Sequence, residues 1–146
     1  MTWQTGRFPR MLRHINNASG IVIEVGIVEP KTHTRSGRSI SMASLYRIHE
    51  EGTKHIPKRP TLRPGVKDKG ITPAQVKALV DGLVTGNYQG AYQQIGKSLA
   101  EAVKREIMQI KSPPLKPATI ANRVKGGSNP LVDTGQLLRA VDYKVK

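Results

Sequence analysis

Between residues 90 and 111 the chain carries Ile95, Leu99, Val103 and Ile107 at a constant spacing of four, with Ala102 and Ile110 beside them. That period predicts a long helix with a single apolar stripe. Lys97, Glu101, Lys104 and Arg105 fall on its outward side, and Glu101 with Arg105 forms an i,i+4 pair there. Pro113 and Pro114 end it, because proline has no amide hydrogen to continue the ladder. A helix of this length with one greasy side must be covered, so the remaining segments are read by what they can lay against it.

Residues 21–28 read IVIEVGIV, with Ile21, Ile23, Val25 and Ile27 on one strand face. Residues 137–145 end in Val141, Tyr143 and Val145, alternating with Asp142, Lys144 and Lys146, as in a strand with one wet face. Pairing these two strands ties the two ends of the chain together. Residues 41–51 show helix spacing through Met42, Leu45, Tyr46 and His49, with Ser41 as N-cap and Gly52 as stop. Thr72, Pro73 and Gln75 spell a capping box with proline at the first helical position. Val76, Leu79, Val80 and Leu83 then supply an apolar stripe up to Gly86. Pro117 opens a short helix that Gly126 and Gly127 break. Residues 1–20 form an arm in which Pro9 opens a short helix through Met11, Leu12 and Ile15, ended by Asn16 and Asn17. Trp3 and Phe8 are available to fold back or to dock on a neighbour.

The expectation is an α+β fold. A small antiparallel sheet pairs the N-terminal and C-terminal strands and packs against two or three amphipathic helices. The arm 1–20 precedes a single domain, 21–146, with extended basic loops at 29–40 and 53–70. Pro, Gly, Ser and Thr make the first a loop or hairpin tip. Pro57, Pro60 and Pro64 stiffen the second. With aromatic residues at 4%, the core is aliphatic. There is no cysteine, so disulfides and thiolate chemistry are excluded. No apolar run is long enough for a membrane span, and the first residues do not read as a secretory signal.

The formal net charge is +14. Residues 31–47 hold four bases and no acid, and 54–67 hold five bases and no acid. Such a field draws nucleic acid or an acidic protein surface. Lys31, Arg35, Arg38, Lys54 and Lys58 are the candidate basic contacts, and nonspecific contact with DNA is one reading of them. No stacking platform or helix-turn-helix accompanies them.

Catalytic signatures do not cohere. Ala91, Gly96, Lys97 and Ser98 match the loose phosphate-loop pattern, but they share the period of the long helix and no buried strand precedes them. An ATP-dependent enzyme would need Lys97 in a loop. His49, Glu50 and His55 resemble a zinc-peptidase motif with the wrong spacing, since two zinc ligands on one helix stand four apart. Glu50 and Glu51 are instead expected to pair with Lys54, Lys58 or Arg59. The expectation is therefore no catalytic residue, no metal and no cofactor.

The segment from Ile48 through Gly52 and Thr53, followed by Ile56-Pro57-Lys58-Arg59-Pro60-Thr61-Leu62-Arg63-Pro64, resembles a segment of tailed-phage virion morphogenesis and tail-completion proteins. The later order is similar as well: a long helix, Pro114-Leu115, Thr119-Ile120, then Pro130-Leu131-Val132-Asp133-Thr134-Gly135-Gln136-Leu137 and a last strand. Two positions that are aromatic in the pattern hold Glu51 and Thr61 here, and the helix usual before the first strand is reduced to a stub.

The resemblance implies a non-enzymatic subunit of a ring, six-fold, that completes the tail or joins it to the capsid connector. Its partners would be copies of itself, connector or neck proteins, and tail-tube or terminator proteins. It would sit in the virion after assembly in the bacterial cytoplasm. His49, Glu50, Gly52, Thr53, Pro57, Arg59, Pro60 and Arg63 are then interface or loop-shaping candidates, as are Pro130, Leu131, Asp133, Thr134 and Gly135. Arg59 and Arg63 suit forked bonds to carboxylates of the next subunit. Asp133 or Thr134 suits a cap on a turn that Gly135 tightens.

Overall fold

The long stripe forms one uninterrupted helix, Gln89–Gln109, whose Ile95, Val103 and Ile107 are almost fully buried. In this computed structural model residues 7–146 are described, apart from the side chains of Arg7, Phe8, Asp68 and Lys69. The elements in order are α1 (Arg7–Ala18), β1 (Ile23–Gly26), β2 (Thr32–Arg35), β3 (Arg38–Ser41), α2 (Met42–Glu51), α3 (Leu62–Lys69), α4 (Pro73–Thr85), α5 (Gln89–Gln109), α6 (Pro117–Ala121), α7 (Gln136–Ala140) and β4 (Asp142–Val145). The fold is α+β. β1 and β4 pair antiparallel with Ile23 opposite Val145 and Val25 opposite Tyr143, and Val22 and Lys146 extend the ladder through two backbone bonds of 2.8 Å.

α5 packs against α3, α4 and the β1–β4 sheet, and two glycines set how close these come. A Cβ on Gly65 of α3 would lie 2.8 Å from Val103 Cα. A Cβ on Gly96 would run into the Tyr143 ring of β4. Beyond them Met42 and Tyr46 of α2, Leu131, Leu137 and Val141 complete the core around Val103 and Ile107.

Local signals behave as their chemistry dictates. Ser41 caps α2, accepting from Ser44 N, and Gly52 ends it at φ 74°. Thr72 and Gln75 close a full capping box on α4. Other expectations are corrected. The segment 53–70 is not extended throughout: past Pro60 it folds into α3. Pro64 fits there because it occupies the first turn, where its missing amide has no partner to lose. Of the two readings of 29–40, loop or hairpin, the hairpin is the one formed, as β2–β3 with Thr32 opposite Ser41. The last strand is split, since residues 136–140 form α7 and only Asp142–Val145 is strand. The N-terminal strand is likewise shorter than residues 21–28. The helix ahead of β1 is no stub, for α1 spans 12 residues and begins before Pro9. It docks on α4 through His14 Nδ1, 2.8 Å from the Leu83 carbonyl. What was expected of Trp3 and of the Phe8 ring lies outside the described residues.

The stripe of α4 is also not a core stripe. Val76 is 48% and Val80 51% exposed, and the helix buries Gly82 instead. On α5, Glu101 Oε1 lies 3.8 Å from Lys104 Nζ, so its partner is Lys104 and not Arg105.

Gly65→Ala tests the close approach. Helix propensity alone would stabilise the variant by about 1 kcal/mol. The new methyl meets the α5 backbone, which cannot yield, so a net loss of about 1–3 kcal/mol is expected. A urea midpoint at or above the wild-type value would show that α3 is not held against Val103.

Candidate functional site

The site begins at the end of α2. Gly52 turns the chain with a positive φ, and the Thr53 hydroxyl then accepts from the amides of His55 (3.2 Å) and Ile56 (3.0 Å). Thr53 N donates to Ile56 O, and Arg59 N donates to His49 O at 2.7 Å, so the proline segment is laced back onto the helix it left. Thr61, where the resemblance has an aromatic residue, is fully buried. Its hydroxyl lies 2.9 Å from the Tyr46 hydroxyl and donates to Glu50 Oε1. The same Glu50 oxygen accepts from the amides of Thr61 and Leu62, the latter at 2.7 Å. Glu50 therefore caps α3, satisfying amides that begin a helix without a partner. This corrects its expected pairing with lysine or Arg59. Glu51 pairs with Arg47 at 3.0 Å. The buried Tyr46 phenol is pushed well above its ordinary range, chiefly by loss of solvent.

Arg59 is the largest surprise among the candidates. It is only 4% exposed, and it donates from Nε to the Pro113 carbonyl (2.8 Å) and from Nη2 to the Pro114 carbonyl (3.2 Å). It holds the segment after α5 against the loop after α2, so its forked bonds go to its own backbone and not, as expected, to surface carboxylates of the next subunit. Arg123 does the same work beyond α6. Its Nη1 donates to Val132 O (2.9 Å) and Gly127 O (3.3 Å), and its Nη2 to Pro130 O (3.1 Å).

Asn129 closes the arrangement. Its amide donates to the Met108 (2.8 Å) and Ile107 (3.2 Å) carbonyls at the end of α5, while its oxygen accepts from Leu131 N and Val132 N. Pro130 and Leu131 are thereby buried on the core. Gly135, at φ 77°, is the N-cap residue of α7, and no side chain caps that helix. Asp133 instead holds Arg35 at 3.3 Å, so the cap expected of Asp133 or Thr134 is not made.

These pieces enclose a cleft of about 490 Å³. His49, Pro57, Arg59, Pro130, Leu131, Asp133, Thr134, Gly135 and Arg35 of the expected set all line it. Glu50, Lys58, Pro60 and Arg63 line a second, more open groove on the other side of α2, with Val25 and Leu62 in its wall. Lys31 borders a small hollow by α7. Gly52, Thr53, Lys54 and Arg38 border none of these; the first two shape the turn and the last two are exposed.

Three histidines meet the first cleft. His33 Nδ1 is 2.7 Å from Gln136 Oε1. His49 is half-buried, and its Nδ1 is shielded from solvent without a hydrogen-bond partner. Among the described residues no hydroxyl is hydrogen-bonded to any of these rings, and no group of three or more His, Asp or Glu is placed to hold a metal ion. Residues 91–98 lie inside α5, where the amides from Tyr92 onward are committed to the helix. No helix among the described residues is long and apolar enough to cross a membrane. No family model, no curated protein and no solved structure matches this chain.

Sequence reasoning missed Asn129, Thr61 and Arg123. Asn129 had a signal: an Asn-Pro turn must follow a long helix whose last carbonyls need donors. Arg123 had none, since its acceptors are backbone groups.

Burial and the Arg59 charge both lower the His49 pKa, burial more, against a smaller opposing pull from Glu50. The folded state therefore binds the proton less readily than the unfolded chain. Stability from this group is full above the ordinary histidine value and falls as pH drops below it. The urea midpoint of the wild type should decline through that window, and His49→Gln should remove part of the decline. Parallel pH profiles for the two proteins would refute this.

Proposed function

We propose that this protein is a non-enzymatic structural component of a tailed-phage or prophage virion. In this reading it forms a ring, six-fold, at the head–tail junction, and acts in tail completion or in joining the tail to the capsid connector. The observation that carries the reading is the uncovered face of the α1–α4 layer. Val76, Val80 and Val84 stand one turn apart on α4, exposed by 48%, 51% and 43%, and Leu12 and Ile15 of the adjoining α1 are exposed as well, as is Ile71. An uncovered apolar stripe on a charged protein is a place for association. The only charges on α4 are Lys77 and Asp81, which neutralise each other at 2.6 Å. Copies of a chain of net charge +14 repel one another, and a neutral apolar face is where that repulsion is least. The order of the segments around Gly52, Pro57, Pro60, Pro130 and Gly135 adds the phage-assembly resemblance.

Particles made without the protein are expected to show unjoined heads and tails by electron microscopy. Val80→Glu is expected to keep its folding stability within about 0.5 kcal/mol of wild type while reproducing that defect. Joined particles at wild-type yield in either case would count decisively against the ring.

A second reading is favoured by one observation. Lys31, Arg38, Lys54 and Lys58 are exposed, and no carboxylate among the described residues pairs with them. They suit contact with DNA phosphates, either in a ring lumen or as a small basic nucleic-acid-binding module. Neutralising four phosphates would give a log–log salt slope of about −3.6. A flat salt dependence of duplex binding excludes this role.

A further inference from the structure

The first cleft holds more positive charge than its walls account for. Arg59, Arg123, Arg35 and Lys116 face one carboxylate, Asp133, and that carboxylate is taken by Arg35. Arg59 and Arg123 have no carboxylate within ion-pair distance among the described residues. All their observed hydrogen bonds go to backbone carbonyls, which satisfy the N–H groups but carry no net charge. A guanidinium as buried as Arg59 normally has a counter-ion. Burial lowers the Arg59 pKa, and the nearby Arg123 charge lowers it further. His49, in the same wall, keeps a shielded ring nitrogen without a partner. Leu45, Ile56, Pro57, Leu115 and Leu131 give the wall its apolar part, beside neutral polar residues such as Thr119 and Gln136.

We propose that this cleft receives an extended segment of an adjoining protein, one that carries a carboxylate side chain flanked by aliphatic residues. The carboxylate compensates Arg59 and Arg123, the aliphatic neighbours rest on Leu45, Ile56 and Leu115, and a polar group of the segment satisfies His49 Nδ1. The volume, about 490 Å³, accommodates a few side chains and not a folded domain. A phosphodiester chain fits less well, since Arg59 is buried and Arg123 half-buried, the exposed Arg35 is already paired with Asp133, and Lys116 is the one exposed cation of the cleft without a carboxylate among the described residues, while Lys31, Arg38, Lys54 and Lys58 lie outside it. Bases and sugars would have to enter with each phosphate, whereas one carboxylate on a flexible side chain enters alone. The proposal rests on the assembly reading only in choosing a neighbouring protein as the occupant.

The test uses the full chain and a fluorescent peptide of alternating leucine and glutamate, beside its glutamine counterpart. Anisotropy is expected to show the acidic peptide binding tighter than about 1 mM and at least about tenfold tighter than the amide peptide. Lys116→Glu and Thr119→Trp, both at exposed positions of the wall, should each weaken binding by about tenfold. Lys97→Glu makes the same charge change on the outer face of α5 and should leave the affinity within about twofold. The ring signals of His49 should move on binding in a ¹H–¹⁵N spectrum. Equal affinity for the two peptides, no binding of either, or an equal loss in Lys97→Glu and Lys116→Glu would overturn the proposal. So would a short oligothymidylate that displaces the peptide and shifts His49, which would assign the cleft to nucleic acid. Failure of the peptide while particles still join through the α4 face would sink the cleft and leave the ring standing.

Discussion

Everything in this fold is referred to one buried helix face. α5 covers Ile95, Val103 and Ile107 completely, and it does so by letting other backbones come unusually near. A two-stranded sheet has little stability of its own. β1 and β4 are held because Tyr143 lies on Gly96, where any side chain would push the ring away. α3 is short and carries a proline and a glycine, poor qualifications for an isolated helix. It persists because Gly65 lets it rest on the α5 backbone and because Glu50 caps it. The end of α5 serves the same purpose at the other side of the core, since its last carbonyls anchor Asn129 and with it the wall that Pro130 and Leu131 form.

The cleft beside this core is framed by arginines used as clamps. A guanidinium offers five donors in a fixed fork, and carbonyl oxygens can occupy several of them at once. Arg59 and Arg123 spend that capacity on neutral acceptors. The geometry of the loops is thus fixed while the positive potential stays in place for something else to meet. Two surfaces thus differ in character: a neutral apolar face on α4 and a cationic, walled recess beside α2.

How much of this could be read in advance depended on range. Gly52, the Ser41 cap and the Thr72–Gln75 box are decided by residues within four positions, and each formed as its chemistry requires. The pairing of β1 with β4 was legible because two alternating apolar runs need a common sheet. α3 was not, because Pro57, Pro60 and Pro64 mask it and its cap, Glu50, lies 11 residues from Thr61. Arg59 was assigned outward on chemistry that holds for an exposed arginine, but its acceptors sit 54 and 55 residues away on carbonyls that no side-chain pattern reveals. The stripe of Val76 and Val80 was visible as a stripe; what no sequence states is whether the same chain supplies its cover. Many of the candidate residues line one cleft, for mixed reasons. Proline and glycine mark turns, and turns built on a rigid scaffold are where recesses form.

Glu50 carries a further consequence. One carboxylate oxygen collects the Thr61 amide, the Thr61 hydroxyl and the Leu62 amide, so the last turn of α2 and the first turn of α3 share a single joint. Separating them would strand three donors at once in a half-buried place. His49 is the next residue along α2 and forms part of the opposite wall. The two hollows therefore have α2 as a common partition, and the Glu50 joint fixes where that partition meets α3.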